Sequence, residues 1–132
     1  MTKVLIVEDE AISALLIQKK LAAAGLDVLP PVATGEKAVE LALNEKPDIV
    51  FMDIRLAGRM DGIEAAGRIR AVLPVRLIFM SGYHDGDFRE RALAMNPYMY
   101  LDKPVVFESL PGLCISTDAA PGRTLSAPEH SV

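Results

Sequence analysis

The sequence has no tryptophan, one cysteine, two histidines and only 5% aromatic residues. A single thiol, Cys114, excludes an intramolecular disulfide and fits a reducing cytoplasm, where it is expected to act as a small hydrophobe. His84 has no ligand-type neighbours at metal spacing and His130 lies near the end, so both are expected to face solvent. An excess of positive charge is also missing. The formal charge of −4 offers no basic field for nucleic acid, and no basic-aromatic stripe occurs. No apolar stretch approaches the ~18 residues of a membrane span. Met1-Thr2-Lys3 leads straight into an apolar run ending in Glu8-Asp9-Glu10, so a signal-peptide core is not expected here. The 132 residues, 51% hydrophobic and 24% charged, are those of one soluble globular domain.

Four short apolar runs each end on a chemically loaded polar residue. Val4-Leu5-Ile6-Val7 meets Glu8-Asp9, Ile49-Val50-Phe51-Met52 meets Asp53, Leu77-Ile78-Phe79-Met80 meets Ser81, and Tyr98-Met99-Tyr100-Leu101 is followed by Lys103-Pro104. Continuous apolar runs separated by helix-length segments are the pattern of parallel strands buried on both faces. In such a sheet the strand C-termini share one edge, where ligands bind at a topological switch point. Any one of these polar residues alone reads as a turn former or a helix cap. Together they bring three carboxylates, a hydroxyl and an ammonium to one edge, the composition of a magnesium-dependent phosphoryl acceptor.

Between the strands the spacing predicts helices over 10–24, with Ala14, Ile17, Leu21 and Ala24 inward and Gly25 ending it, over 34–44 behind a Thr34 cap, over 62–72, and over 88–95. A second strand is expected over 26–32. Its Pro30-Pro31 pair would forfeit ladder hydrogen bonds in a central position and so places it at a sheet edge. Segment 82–87, with two glycines and two aspartates, reads as a mobile loop.

On these residues the chain resembles, from Lys3 to Phe107, the receiver domains of two-component response regulators. The resemblance implies an α/β, flavodoxin-like, doubly wound sheet of five parallel strands in the order 2-1-3-4-5, and the edge position of the proline-bearing strand supports it independently. It also implies that Asp53 accepts a phosphoryl group from a sensor histidine kinase or phosphotransfer protein. Glu8, Asp9 and Asp53 then correspond to the Mg2+ ligands, joined by the backbone carbonyl of Arg55. Lys103 and Ser81 correspond to the groups that contact the phosphoryl oxygens, Ser81 and Tyr100 to the switch pair, and Tyr83 borders the path of hydrolytic water. Receivers catalyse their own phosphorylation and dephosphorylation, so the label "enzyme" is a borderline one. The stretch Arg76-Leu77-Ile78-Phe79-Met80-Ser81-Gly82-Tyr83 is further similar to a subgroup with a Phe-x-Thr-Gly-Tyr signature, largely stand-alone receivers.

The end departs from the family pattern. Where a fifth helix of about three turns is normal, Val105-Val106-Phe107-Glu108-Ser109-Leu110 runs into Pro111-Gly112. The helix is therefore expected to be short, distorted or absent, with Leu110, Leu113 and Ile115 patching the sheet or leaving a candidate homodimer surface. Residues 1–115 are read as the receiver domain and 116–132 as a flexible tail. With no output module after Phe107, the expected output is through a protein partner. The alternatives are a phosphorylation-independent interaction scaffold, a small aspartate-nucleophile phosphatase and a flavin carrier. Arg55 stands where the phosphatase needs a second acid, and no phosphate loop follows the first strand, so the last two are disfavoured.

Overall fold

Strand β1 (Lys3–Val7), β3 (Ile49–Asp53), β4 (Arg76–Ser81) and β5 (Met99–Asp102) are parallel neighbours in that order. Their unbroken apolar runs have a physical reason, because successive side chains alternate between two cores. Leu5, Val7, Val50, Met52, Leu77 and Phe79 point into one, and Val4, Ile6, Ile49, Phe51, Ile78 and Met80 into the other. The computed structural model describes residues 1–82, 86–115 and the backbone of 123–125.

Helix α1 (Ala11–Ala23) buries Ala14, Ile17 and Leu21 on one face of the sheet. Ala24, predicted inward, is exposed instead, because the helix has ended and Gly25 (φ +92°) turns the chain out of it. The second strand, β2, lies at the edge beside β1 as expected but shrinks to Asp27–Val28, with Val32 adding an isolated bridge to Val7. The two intervening prolines cannot donate to a ladder.

On the opposite face, α2 (Gly35–Glu45) starts at Thr34, whose Oγ1 accepts the Lys37 N–H at 3.1 Å. Lys46, with φ 51°, ends it before Pro47. Helix α3 (Gly62–Arg70) is capped by Asp61, whose Oδ1 accepts the Glu64 N–H at 2.8 Å, and buries Ile63, Ala65, Ala66 and Ile69. Helix α4 (Gly86–Leu93) begins two residues before the predicted start and buries only Ala92.

After β5 the chain makes a 3-10 turn at Phe107–Ser109 and a short α5 (Leu110–Ile115), the distorted fifth helix that the sequence predicts. Pro111 is tolerated because it sits in the first turn, where its missing N–H has no partner to lose. Leu110 and Cys114 are buried beside α1 and Leu113 packs against them, whereas Ile115 stays 72% exposed.

One difference lies in the expected tail. Residues Arg123–Leu125 form a sixth strand, β6, parallel to β5, giving the order β2-β1-β3-β4-β5-β6 around the predicted five. Its backbone pairs an edge of β5 that would otherwise present a row of unmatched N–H and C=O groups. The rest of that segment lies outside the described residues, as do Tyr83, His84 and His130. Among the described residues no helix is long and apolar enough to cross a membrane.

Candidate functional site

The register places the ends of β1, β3, β4 and β5 side by side, with Val7 opposite Met52, Asp53 opposite Met80 and Ser81 opposite Asp102. Glu8, Asp53 and Ser81 follow directly and are the buried polar residues among the described ones. Five residues singled out in the sequence thus meet at one sheet edge. Lys103 Nζ donates to Glu8 Oε1 and to Asp53 Oδ2, each at 2.9 Å. One carboxylate oxygen each from Glu8, Asp9 and Asp53 lie within 4.8 Å of one another. Glu8 Oε2 also accepts the Glu10 N–H at 3.1 Å, which orients its head at the start of α1.

Burial and charge act against each other here. Burial, together with Glu8 alongside, pushes the Asp53 carboxyl up from 3.8 to about 7, against the pull of Lys103. Glu8 is also penalised by burial, but its hydrogen bonds with Asp53 and Lys103 win and hold it below the usual carboxylate range. Lys103 loses some basicity to burial and regains more from the two acids, so its ammonium is held charged. Asp9, exposed at the rim, is raised by partial burial and by the charge of Glu8. Three carboxylates against one ammonium leave a negative excess, which Asp53 relieves by keeping a proton.

This donor set fits a hard divalent cation. Mg2+ takes carboxylate oxygens and keeps several waters, and a +2 charge would displace the proton that Asp53 otherwise retains.

Ser81 Oγ lies 3.4 Å from the Gly82 carbonyl oxygen, and the Lys103 N–H donates to the Ser81 carbonyl at 2.8 Å, lacing the ends of β4 and β5 together. The Lys103-Pro104 peptide is cis. Tyr100 is 1% exposed, with the Arg89 guanidinium 4.8 Å from its ring centroid. In this structure the Tyr100 ring lies inside the core.

Some site residues were not legible. Gly62 opens α3 against the acceptor, and a Cβ there would stand 2.0 Å from the Asp53 carbonyl oxygen. The only sequence signal is a glycine directly after a helix cap. The loop between Asp53 and Asp61 is tied down by a bridge between Thr34 and Ala57 and turns at Gly58 (φ +93°), although Ala57 offers no rigidity of its own. Arg55 is exposed, and its guanidinium lies 5.2 Å from the Phe88 ring centroid.

A family model described as "Response regulator receiver domain" matches residues 4–113, covering every site residue above. The chain belongs to the response regulator receiver domain family. Among curated relatives, the transcriptional regulatory protein PdtaR of Mycobacterium tuberculosis is 34% identical over 108 residues, which are 82% of this chain and 52% of that protein. A protein-glutamate methylesterase/protein-glutamine glutaminase of Geobacter metallireducens is 42% identical over 88 residues, 66% of this chain and 25% of that one. The receiver therefore spans about half the length of the first relative and a quarter of the second. Among solved structures, the signal receiver domain of a modulated diguanylate cyclase from Desulfovibrio desulfuricans G20 superposes with a TM-score of 0.79 at 38% identity, covering 86% of this chain and 90% of that one. The receiver domain of AraT from Geobacillus stearothermophilus gives 0.76 at 30% identity, with 86% and 89% covered.

Proposed function

We propose that this receiver accepts a phosphoryl group on Asp53 from a phosphohistidine of a sensor histidine kinase or phosphotransfer protein, and signals through a change of surface read by a downstream protein. The observation that carries this reading is the Lys103 ammonium held 2.9 Å from both Glu8 and Asp53, with Asp9 beside them. Glu8, Asp9 and Asp53, with the backbone carbonyl of Arg55, would hold Mg2+. When bound, the ion neutralises the carboxylates and the charge on the transferring phosphoryl oxygens.

The chain's own residues do the rest. A carboxylate oxygen of Asp53 forms the new O–P bond as the P–N bond breaks, and the departing imidazole nitrogen keeps the electron pair. Asp53 must be ionised to attack, so the proton it holds below about pH 7 leaves first. Lys103 is placed to follow the developing charge from the carboxylate to the phosphoryl oxygens. Ser81, at the end of the neighbouring strand, would donate its hydroxyl to the acyl phosphate and draw its loop toward it. Tyr100 and Tyr83 belong to the same reading as switch residues.

The kinase partner finds support on α1. Ile12, Leu15 and Leu16 are 73%, 49% and 44% exposed, next to Glu8 and Asp9. An apolar strip beside an acidic pocket suits a helical partner that must bring a phosphohistidine to Asp53. A homodimer through the sheet surface beside α1 has less support, because Leu110 and Cys114 fill that surface. A cytoplasmic setting is part of the proposal, with the one thiol buried and pushed up to about 11 by that burial. Residues 1–115 make up the functional unit.

Beryllofluoride, a phosphoryl mimic, tests the site. Uptake followed by fluorine NMR should require both magnesium and Asp53 and be lost in Asp53→Asn. No uptake by the parent chain would favour the phosphorylation-independent scaffold.

A further inference from the structure

The acceptor loop runs from Asp53 to Asp61, and its two ends are fixed by backbone bonds. The Ile54 N–H donates to the Met80 carbonyl at 3.1 Å, and the Gly62 N–H donates to the Ile54 carbonyl at 2.8 Å. Leu56 and Met60 pack their side chains against the core. Between them Ala57 and Gly58 are exposed, and neither has a ring that would fix its φ. The start of α2 lies against this stretch. Thr34 forms an isolated parallel bridge with Ala57. Gly35 is buried, and a Cβ there would stand 3.0 Å from the Met60 carbonyl oxygen and 3.1 Å from the Met60 Cβ and Cγ. Glu36 Oε1 would stand 3.1 Å from a Cβ on Gly58. Gly35 is not one of the positive-φ glycines, so the position uses its small size and not its backbone freedom.

We propose that Thr34 and Gly35 are positioning residues for the cation site: the start of α2 is the seat on which the acceptor loop rests, and it sets where the Arg55 carbonyl stands beside Asp53. This rests on the reading in which Asp53 is the acceptor and the Arg55 carbonyl joins the cation. Arg55 is two residues past Asp53 and two before Ala57. The direction of its carbonyl therefore follows from a short span, held at Ile54 on one side and at Ala57 to Met60 on the other. The packed side chains of Leu56 and Met60 keep the loop on the molecule, but apolar burial is non-directional and tolerates sliding. Backbone lying close against backbone at Gly35 leaves no such slack. Mg2+ demands near-ideal octahedral positions for its oxygens. A loop displaced by a few tenths of an ångström is felt there before it is felt in the stability of the fold. Helix α2 thus serves the pocket without contributing a side chain to it. Coupling is reciprocal, so a cation favoured by the seat also tightens the seat.

Gly35→Ala in the full chain is the test. Its Cβ pushes Met60 outward, while alanine's better helix propensity offsets part of the cost in stability. Magnesium affinity, read by calorimetry, should fall about tenfold, and exchange of the amides over 55–60 should speed up even without the ion. Labelling by acetyl phosphate, read by intact mass, should slow at limiting magnesium and recover at saturating magnesium. Met60→Ala, which trims the loop's side of the contact, should act in the same direction. Ala42→Gly, two turns further along α2, should lower the melting temperature and leave magnesium affinity unchanged. In the parent, magnesium should slow exchange of the Lys37 and Ala38 amides, which donate to Thr34 Oγ1 at 3.1 Å and to the Thr34 carbonyl at 3.0 Å. Equal magnesium affinity in Gly35→Ala and the parent, or an equal loss in Ala42→Gly, would overturn the proposal. A parent that binds magnesium but never labels at Asp53 sinks the acceptor reading alone. One that labels normally, while its 55–60 amides ignore Gly35→Ala, sinks the seat alone, and one that binds no magnesium sinks both.

Discussion

Asp53 carries a strong electrostatic conflict, and the conflict has a testable sign. In the metal-free fold Asp53 keeps its proton to about pH 7, whereas in the unfolded chain it releases it near 3.8. Between those values the folded state binds the extra proton, so this group's contribution to stability falls as pH rises through the window and stays low above it. A divalent cation replaces the proton. Magnesium should therefore raise the melting temperature more at pH 8 than at pH 5, and Asp53→Asn should flatten the difference. Equal shifts at both pH values would contradict the charge balance described here. Lys103→Ala removes the ammonium that bridges Glu8 and Asp53, so uptake of phosphate from acetyl phosphate should slow by about 100-fold, followed as the rate of mass gain. Gly62→Ala should destabilise the fold by about 1–3 kcal/mol in denaturant melts, because backbone must move to admit the Cβ. The five polar site residues were legible because each lies within two residues of the end of an apolar run, so one rule about strand ends gathers them. Gly62 was not, since its role depends on a close approach made across the fold by a residue that carries no local pattern.

Elements followed the sequence where periodicity and caps agree. Thr34 accepts the N–H group that its position predicts, Asp61 caps α3 in the same way, and the central strands run where unbroken apolar stretches require. Disagreement appears where local rules are weak. The edge strand β2 is reduced by its prolines, Ala24 follows its helix's end, and β6 forms from a three-residue run that no periodicity could reveal. The fifth helix survives its proline because a first turn has no hydrogen bond to lose, and it gains an anchor from elsewhere. Arg76 Nη2 donates to the Cys114 carbonyl at 3.3 Å and lies 5.4 Å from the Tyr98 ring centroid. A cation at a helix C-terminus is favoured by the helix dipole. Arg76→Ala should therefore raise hydrogen exchange over 110–115 while leaving α2 and α3 as they were; unchanged protection would show that Leu110 and Cys114 hold the helix unaided.

For the whole molecule, the two faces of the sheet have different work. Helices α2, α3 and α4 cover one core, while α1 and the short α5 cover the other. The exposed apolar residues of α1 lie beside the acidic pocket, and under the proposed function they would separate docking from chemistry. Ile12→Glu with Leu16→Glu should cut phosphotransfer from a cognate kinase by about tenfold or more and leave labelling by acetyl phosphate intact. Loss of both would mean that the strip supports the fold and not a partner. The central claim is that Asp53 is a phosphoryl acceptor within a cation-assisted pocket, and its most direct test is the mass of the intact chain after incubation with acetyl phosphate and magnesium. One added phosphoryl group, absent in Asp53→Asn and in the presence of a chelator, is the predicted result. A parent chain of unchanged mass, or one labelled equally well without Asp53, would contradict it.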